Sequence, residues 1–227
     1  MKERPIIFST QMVRAILRGA KTQTRRVIPV LPKRGYSLHQ ISEDKFCFRK
    51  VHKNGDATHS DVFRRPCDVG DLLWVRETFV GPIYDDVDDP YSDDDFENPD
   101  HCIYKADKDE TPEYVDMDGN IRRGWIPSIH MPRWASRISL LVKSVRAEPL
   151  RDISDTDAMR EGLYLSFLRG TPMPIAMDWD GNEKVLVAGV PKRDFEALWR
   201  GLYPEGQKSW GANPWVWVID FDVVKRQ

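Results

Sequence analysis

The sequence predicts a compact α+β, barrel-like fold, with short helices flanking the strands and long inserted loops hanging outside. Three observations lead there. Alternating or aromatic-rich apolar runs mark strands at Leu72 to Phe79, Trp134 to Pro149 and Trp215 to Phe221. The helical stripes are short, and there are only three. No regular strand–helix–strand alternation runs along the chain, which argues against a doubly wound parallel sheet. A sheet that closes on itself also leaves few edges to aggregate.

The elements follow in order. Pro5-Ile6-Ile7-Phe8 is a short apolar run, and Ser9 or Thr10 is placed to cap a helix. Val13, Ile16 and Leu17 give that helix its buried stripe, and Gly19 stops it. Residues 29–69 read as an excursion with strands near 45–51 and 58–63. The turn pair Gly70-Asp71 leads into the strand from Leu72. Residues 80–128, rich in Pro, Asp and Gly, form a second insertion with a strand near 102–105. In the next strand, Ile138, Leu140 and Val142 alternate toward one face. Ser154-x-x-Asp157 is a capping pattern for a short helix that stops near Gly162. Residues 163–190 form the third excursion, with a strand at Val185 to Val190. Phe195, Leu198, Trp199 and Leu202 are spaced as the last helix stripe. The 227 residues are read as a single domain carrying these insertions.

Composition narrows the function classes. Apolar residues make up 41% and charged residues 31%, as in soluble globular proteins. No run approaches the ~18 apolar residues of a membrane helix, and Met1-Lys2-Glu3-Arg4-Pro5 lacks the apolar core of a signal peptide. The expected location is the cytoplasm, without a membrane partner. The three cysteines, Cys47, Cys67 and Cys102, are odd in number and include no C-x-x-C pair, and the five histidines are scattered. Neither a disulfide framework nor a zinc site is expected, and no cofactor. Net charge is −2, but residues 85–118 hold 15 Asp or Glu against two Lys. The remainder has 32 basic and 21 acidic side chains, a net +11. Such a body can attract phosphate locally, and the acidic loop 85–118 could meet a host protein; ordinary solvated surface charge is the other reading.

The most informative stretch is Gly19-x-Lys21-Thr22-x-Thr24-Arg25-Arg26. On an extended segment Thr22, Thr24 and Arg26 share one face, and Lys21, Gln23 and Arg25 the other. Chemistry linking Lys21 to Thr24 therefore needs a turn or irregular backbone. The stretch can bind an anion, supply a hydroxyl nucleophile with an amine base, or be a basic surface loop.

This motif, followed by Gly70-Asp71-Leu72-Leu73-Trp74-Val75-Arg76-Glu77-Thr78, resembles the ASCH family, in particular its longer members from bacteriophages and prophages. Met131-Pro132-Arg133-Trp134-Ala135-Ser136-Arg137-Ile138, the helix Asp157 to Gly162, and Asn213-Pro214-Trp215-Val216-Trp217-Val218 agree with it in order. The resemblance spans the first to the last strand and omits the three excursions. It implies a PUA-like β-barrel, a cleft beside the first helix, and an RNA-related function. Some small members are amidohydrolases that remove acetyl from N4-acetylcytidine, using a lysine, a threonine and a glutamate. Lys21, Thr24 and Glu161 match these three. By that analogy Thr24 attacks the amide carbonyl, Lys21 takes its proton, and Glu161 orients the base or moves a proton to the leaving group. Lys21 must then fall below the unperturbed pKa of ~10.4, through burial or through Arg25 and Arg26.

Thr22, Arg25, Arg26, Arg76, Arg133, Trp134 and Arg137 are the candidates for contacting RNA or a nucleoside, through phosphate pairing and base stacking. For Trp74, Trp134, Trp215 and Trp217, core or rim packing is the alternative. Arg76 and Glu77 also read as an exposed rim pair, and Asp71 as a turn residue. The competing functions are a metal-independent ribonuclease and a phage accessory protein that binds a host partner.

Overall fold

A computed structural model describes residues 1–30, 35–83, 97–108, 110–115, 120–162, 176–177, 184–185 and 191–224. Its strands in chain order are β1 (Glu3–Ile7), β2 (Gln23–Val27), β3 (Ser37–Gln40), β4 (Lys45–Val51), β5 (Ala57–His59), β6 (Phe63–Arg64), β7 (Leu72–Arg76), β8 (Phe79–Val80), β9 (Ile103–Tyr104), β10 (Glu113–Val115), β11 (Ile121–Arg123), β12 (Ser139–Pro149), β13 (Ala176–Met177), β14 (Lys184–Val185) and β15 (Trp215–Val224). The α-helices are α1 (Thr10–Leu17), α2 (Asp155–Arg160) and α3 (Pro191–Leu202). The chain divides into two compact units: unit 1 is Met1–Thr22, Gly70–Val142 and Phe221–Gln227, and unit 2 is Gln23–Val69 and Lys143–Asp220.

In unit 1, β1 runs parallel to β7, with Glu3 opposite Leu72 and Ile7 opposite Arg76. The start of β12 lies antiparallel on β7, with Ser139 opposite Trp74. Asp71 is more than a turn residue. It is buried and accepts hydrogen bonds from the Lys2 backbone N–H (2.9 Å) and Arg4 Nε (3.2 Å), tying β1 to the head of β7. Along β7 the expected alternation holds, with Leu73 and Val75 buried. In α1, Val13, Ala15 and Ile16 are buried, but Leu17, expected in the stripe, is 47% exposed. Ser9 takes the N-cap position, yet its hydroxyl makes no capping bond. A second cluster joins Phe79, Tyr104, Met131 and Ala135, with Trp134 packed against it. The long strand expected from Trp134 begins only at Ser139. Residues 134–138 turn instead, held by Ser136 Oγ donating to the Val75 carbonyl at 2.8 Å. The strand expected near 102–105 is β9, paired with β8. The acidic stretch 85–118 falls only in part among the described residues.

In unit 2, β15 pairs antiparallel with β2, with Val216 opposite Val27 and Asp220 opposite Gln23, and neighbours β12 on its other side. Alternation gives β15 two buried faces. Val216 and Val218 join Leu150, Ile153, Ala158, Phe195, Trp199 and Trp210. Trp217, on the opposite face, joins Ile28, Phe46, Phe48 and Phe63. Strands β4 and β6 are therefore part of the core rather than of an outside excursion. β4 pairs with β3, β5 and β6, and Phe46 meets Trp217 edge-on with ring centres 5.0 Å apart. Burying these aromatic rings is worth more than leaving them on a solvated excursion.

The Ser154 cap is present: its side chain accepts from the Asp157 N–H at 3.1 Å. Ser154→Ala is expected to cost about 1 kcal/mol in chemical denaturation; an unchanged midpoint and slope would contradict that role. In α3, Phe195 and Trp199 are buried while Leu202 is 60% exposed. Tyr203 packs on Trp199 instead, with ring centres 5.1 Å apart. Of the strand expected at Val185 to Val190, Val185 ends β14, and the rest lies outside the described residues. The architecture is mixed α+β, mostly sheet with few short helices, and among the described residues no sheet closes into a barrel. Nor is any helix among them long and apolar enough to cross a membrane.

Candidate functional site

Three of the side chains singled out by the motif resemblance are buried: Lys21 is 2%, Thr24 1% and Glu161 4% exposed. They are among eight buried polar or charged residues found in the described part of the chain. Burying such groups is costly unless a partner or a function compensates.

Lys21 belongs to unit 1. Gly19 takes φ +72°, and the N–H groups of Ala20 and Lys21 both donate to the Ala15 carbonyl, at 2.8 and 3.1 Å. This tight exit from α1 draws Lys21 inward, with its ammonium 5.6 Å from the centre of the Phe8 ring. Thr22 is half-buried, and its carbonyl accepts from the Phe221 N–H.

Thr24 and Glu161 belong to unit 2. From Gln23 the backbone is a regular strand, and the predicted division of its faces is seen in the hydrogen bonds. Arg25 Nη1 donates to Gln23 Oε1 at 2.6 Å on one face, and Arg26 Nη1 to Thr24 Oγ1 at 2.9 Å on the other. The Arg25 face carries a network. Arg25 donates to Glu161 at 3.0 Å and Glu148 at 2.8 Å, and lies 3.5 Å from Asp157. Arg146 contacts Glu148 at 3.3 Å, and Asp157 and Asp220 at 2.9 Å each. Gln23 Nε2 donates to Asp157 and Asp220, and Ser144 Oγ to Asp220. Two guanidiniums thus bridge four carboxylates. Arg25 also lies over the Phe195 ring, 5.6 Å from its centre.

Glu161 is thus set on the Arg25 face, while the Thr24 hydroxyl points to the other. Arg26 connects them electrostatically. Burial lowers its pKa below the usual guanidinium value, and the Glu161 carboxylate and Tyr203 partly offset this. Asp157 shows the opposite balance. Burial alone would raise its pKa, but the Gln23 hydrogen bond and the charges of Arg146 and Arg25 hold it below the usual carboxylate value. A lowered folded-state pKa gives stability that is full above the unfolded value of ~3.9 and lost as pH falls through the folded value. The stability advantage of the native protein over Asp157→Asn is therefore expected to shrink on acidification below about pH 4. Urea titrations across pH would show this, and an advantage that grew on acidification would contradict it.

The other predicted nucleic-acid residues lie in unit 1, where three of them are already engaged. Arg133 makes two hydrogen bonds to Glu3, at 2.7 and 3.1 Å. Arg137 contacts Glu77 at 3.0 Å and Asp107 at 2.5 Å, and lies 3.9 Å from the centre of the Tyr104 ring. Burial alone would lower the Arg137 pKa, but Glu77 and Asp107 raise it. Arg76 donates to the Ile129 carbonyl, and Arg76 and Arg133 flank the Trp74 ring at 5.5 and 5.9 Å. Trp134 packs against the Phe79–Tyr104 cluster. Glu77 is buried, so it is not half of an exposed rim pair.

Cys102 does not compete as a nucleophile. Burial pushes its thiol up to about 11, so it stays protonated at neutral pH. Among the described residues no group of three or more His, Cys, Asp or Glu side chains is arranged to hold a metal ion.

Sequence reasoning missed Gln23, Ser144, Arg146, Glu148, Asp157 and Asp220 as a connected set. A signal existed: Ser144, Arg146 and Glu148 alternate with Val145 and Ala147 along β12, and the latter two pack on the aromatic cluster of the other face. Compared with protein-family models, curated proteins and solved structures, the chain gives no significant match to any of the three.

Proposed function

We propose that this chain is an ASCH-type hydrolase of an N4-acylated cytidine, in which Thr24 is the nucleophile. The observation that carries the reading is the burial of Lys21, Thr24 and Glu161, the three residues that the family resemblance assigns to catalysis. The mixed α+β sheets agree with the coarse α+β class that the same resemblance implies.

In this reading Thr24 Oγ attacks the acyl carbon of the N4 amide, and its proton passes to a base, the role that the family resemblance assigns to Lys21. The carbon–nitrogen bond then breaks, cytidine leaves with a proton on its amine, and water hydrolyses the threonyl ester. Arg26, hydrogen-bonded to Thr24 Oγ1 at 2.9 Å, is the cation beside the developing oxyanion. Glu161, paired with Arg25 and acting in the field of Arg26, sets the charge balance of the site.

A plain RNA-binding reading has less support, because Arg25, Arg133 and Arg137 are neutralised by carboxylates of this chain. The test is release of cytidine from N4-acetylcytidine and other N4-acylcytidines by the purified protein. Release supports the hydrolase. Salt-sensitive RNA binding without any release would replace it with a binding function.

A further inference from the structure

A pocket of about 340 Å³ opens in unit 2 at the end of β2. This is near the lower end of the ~300–1,000 Å³ of small-molecule sites, too small for a polynucleotide groove. One side is apolar, formed by Val27, Ile28 and Pro29. The rest of the lining is Tyr203, Glu205, Gln207 and Lys208, with the Lys208 ammonium 5.9 Å from the centre of the Tyr203 ring.

The wall is built rather than loose. Trp199 Nε1 donates to the Lys208 carbonyl at 2.8 Å, and the Tyr203 N–H to the Trp199 carbonyl at 2.8 Å. Gly206 takes φ +82°, and its carbonyl accepts from the Ser209 N–H, which closes the turn between Tyr203 and Trp210. Val27 and Tyr203 pack against the Phe195–Trp199 cluster on the Arg25 face of β2, so the pocket adjoins the Arg25 face, and its ligand would reach Thr24 only around the end of the strand. Tyr203 is also within the electrostatic reach of Arg26.

An aromatic ring, an aliphatic wall, one carboxylate, one amide and one ammonium suit a flat heterocycle with hydrogen-bonding edges, to which Lys208 can donate beside the ring. We propose that this pocket is the base-binding subsite, where the pyrimidine ring of the nucleoside stacks on Tyr203 and meets Glu205 and Gln207 along its edge. The inference rests on the acylcytidine reading for its choice of ligand, but binding tests it apart from turnover.

The probe is unmodified cytidine, titrated calorimetrically into the native protein, Tyr203→Ala, Tyr203→Phe and the Glu205→Ala/Gln207→Ala double variant. N4-acetylcytidine kinetics run in parallel. Tyr203→Ala is expected to raise the Kd for cytidine about tenfold or more, as loss of one stacked base does, with KM rising alongside and kcat little changed. Tyr203→Phe should bind like the native protein. Because Tyr203 also packs on Trp199, the rim double variant guards against a folding defect, and it too should weaken binding. Turnover with Kd and KM unchanged in both Tyr203→Ala and the double variant would overturn the subsite and leave the hydrolase standing. Cytidine binding that is lost in those variants, in a protein with no turnover, would support the subsite and sink the hydrolase. Failure of the native protein to bind cytidine, or equal affinity for adenosine, would overturn the subsite.

Discussion

Arg25→Met is expected to destabilise the protein by about 3–5 kcal/mol, the usual cost of removing one partner from a buried ion network. The Arg25 side chain is fully buried and stands among Glu148, Asp157 and Glu161. Methionine fills similar space but removes the cation that contacts all three. The carboxylates must then repel one another in a poorly solvated site or take up protons. Arg25→Lys is expected to recover only part of the loss, because one ammonium cannot reproduce a planar fork that reaches Gln23, Glu148 and Glu161 together. Urea denaturation at neutral pH measures both variants. A loss below about 1 kcal/mol for Arg25→Met would show that the network is not a structural keystone of unit 2.

Thr24→Ala is expected to lower turnover of N4-acetylcytidine by about a thousandfold or more, the scale seen when a nucleophile is deleted. Thr24→Ser keeps the hydroxyl within reach of Arg26 and should retain measurable turnover. The contrast separates chemistry from packing, since both substitutions remove the same buried methyl group. Equal activity in Thr24→Ala and the native protein would remove Thr24 from the mechanism. Equal inactivity in Thr24→Ser and Thr24→Ala, with cytidine binding intact, would point to the shape of the site rather than the hydroxyl.

Much of the local structure was legible because it follows from local rules. The strand at Lys45–Val51, the Ser154 cap and the two faces of Gln23–Arg26 depend on alternation and on nearest backbone partners. Leu17 and Leu202 were misjudged because spacing names a stripe but not its width, and each lies at the solvent edge of its helix. The excursion at 29–69 mixes Pro, Lys and Asp with short aromatic runs. Its Phe46, Phe48 and Phe63 become core only because Trp217, far along the chain, supplies the surface they cover.

The same limit governs the candidate site. Lys21, Thr24 and Glu161 could be named from the motif resemblance, and Arg25 as a candidate for contacting RNA, but not the pairing of Arg25 with Glu161. Asp157 read as part of a helix cap, and Asp220 lay unremarked in the aromatic-rich last strand. Only folding brings both to Arg146. Conversely, Arg133 and Arg137 looked available to phosphate because Glu3, Glu77 and Asp107, which neutralise them, are distant in sequence.

The most direct test of the account is to quench the native protein during turnover of N4-acetylcytidine and locate the acetyl group by peptide mass spectrometry. Cytidine release is expected with acetyl on the peptide containing Thr24, and neither in Thr24→Ala. Cytidine release with the acetyl group on another residue, or no release from the native protein at all, would contradict it.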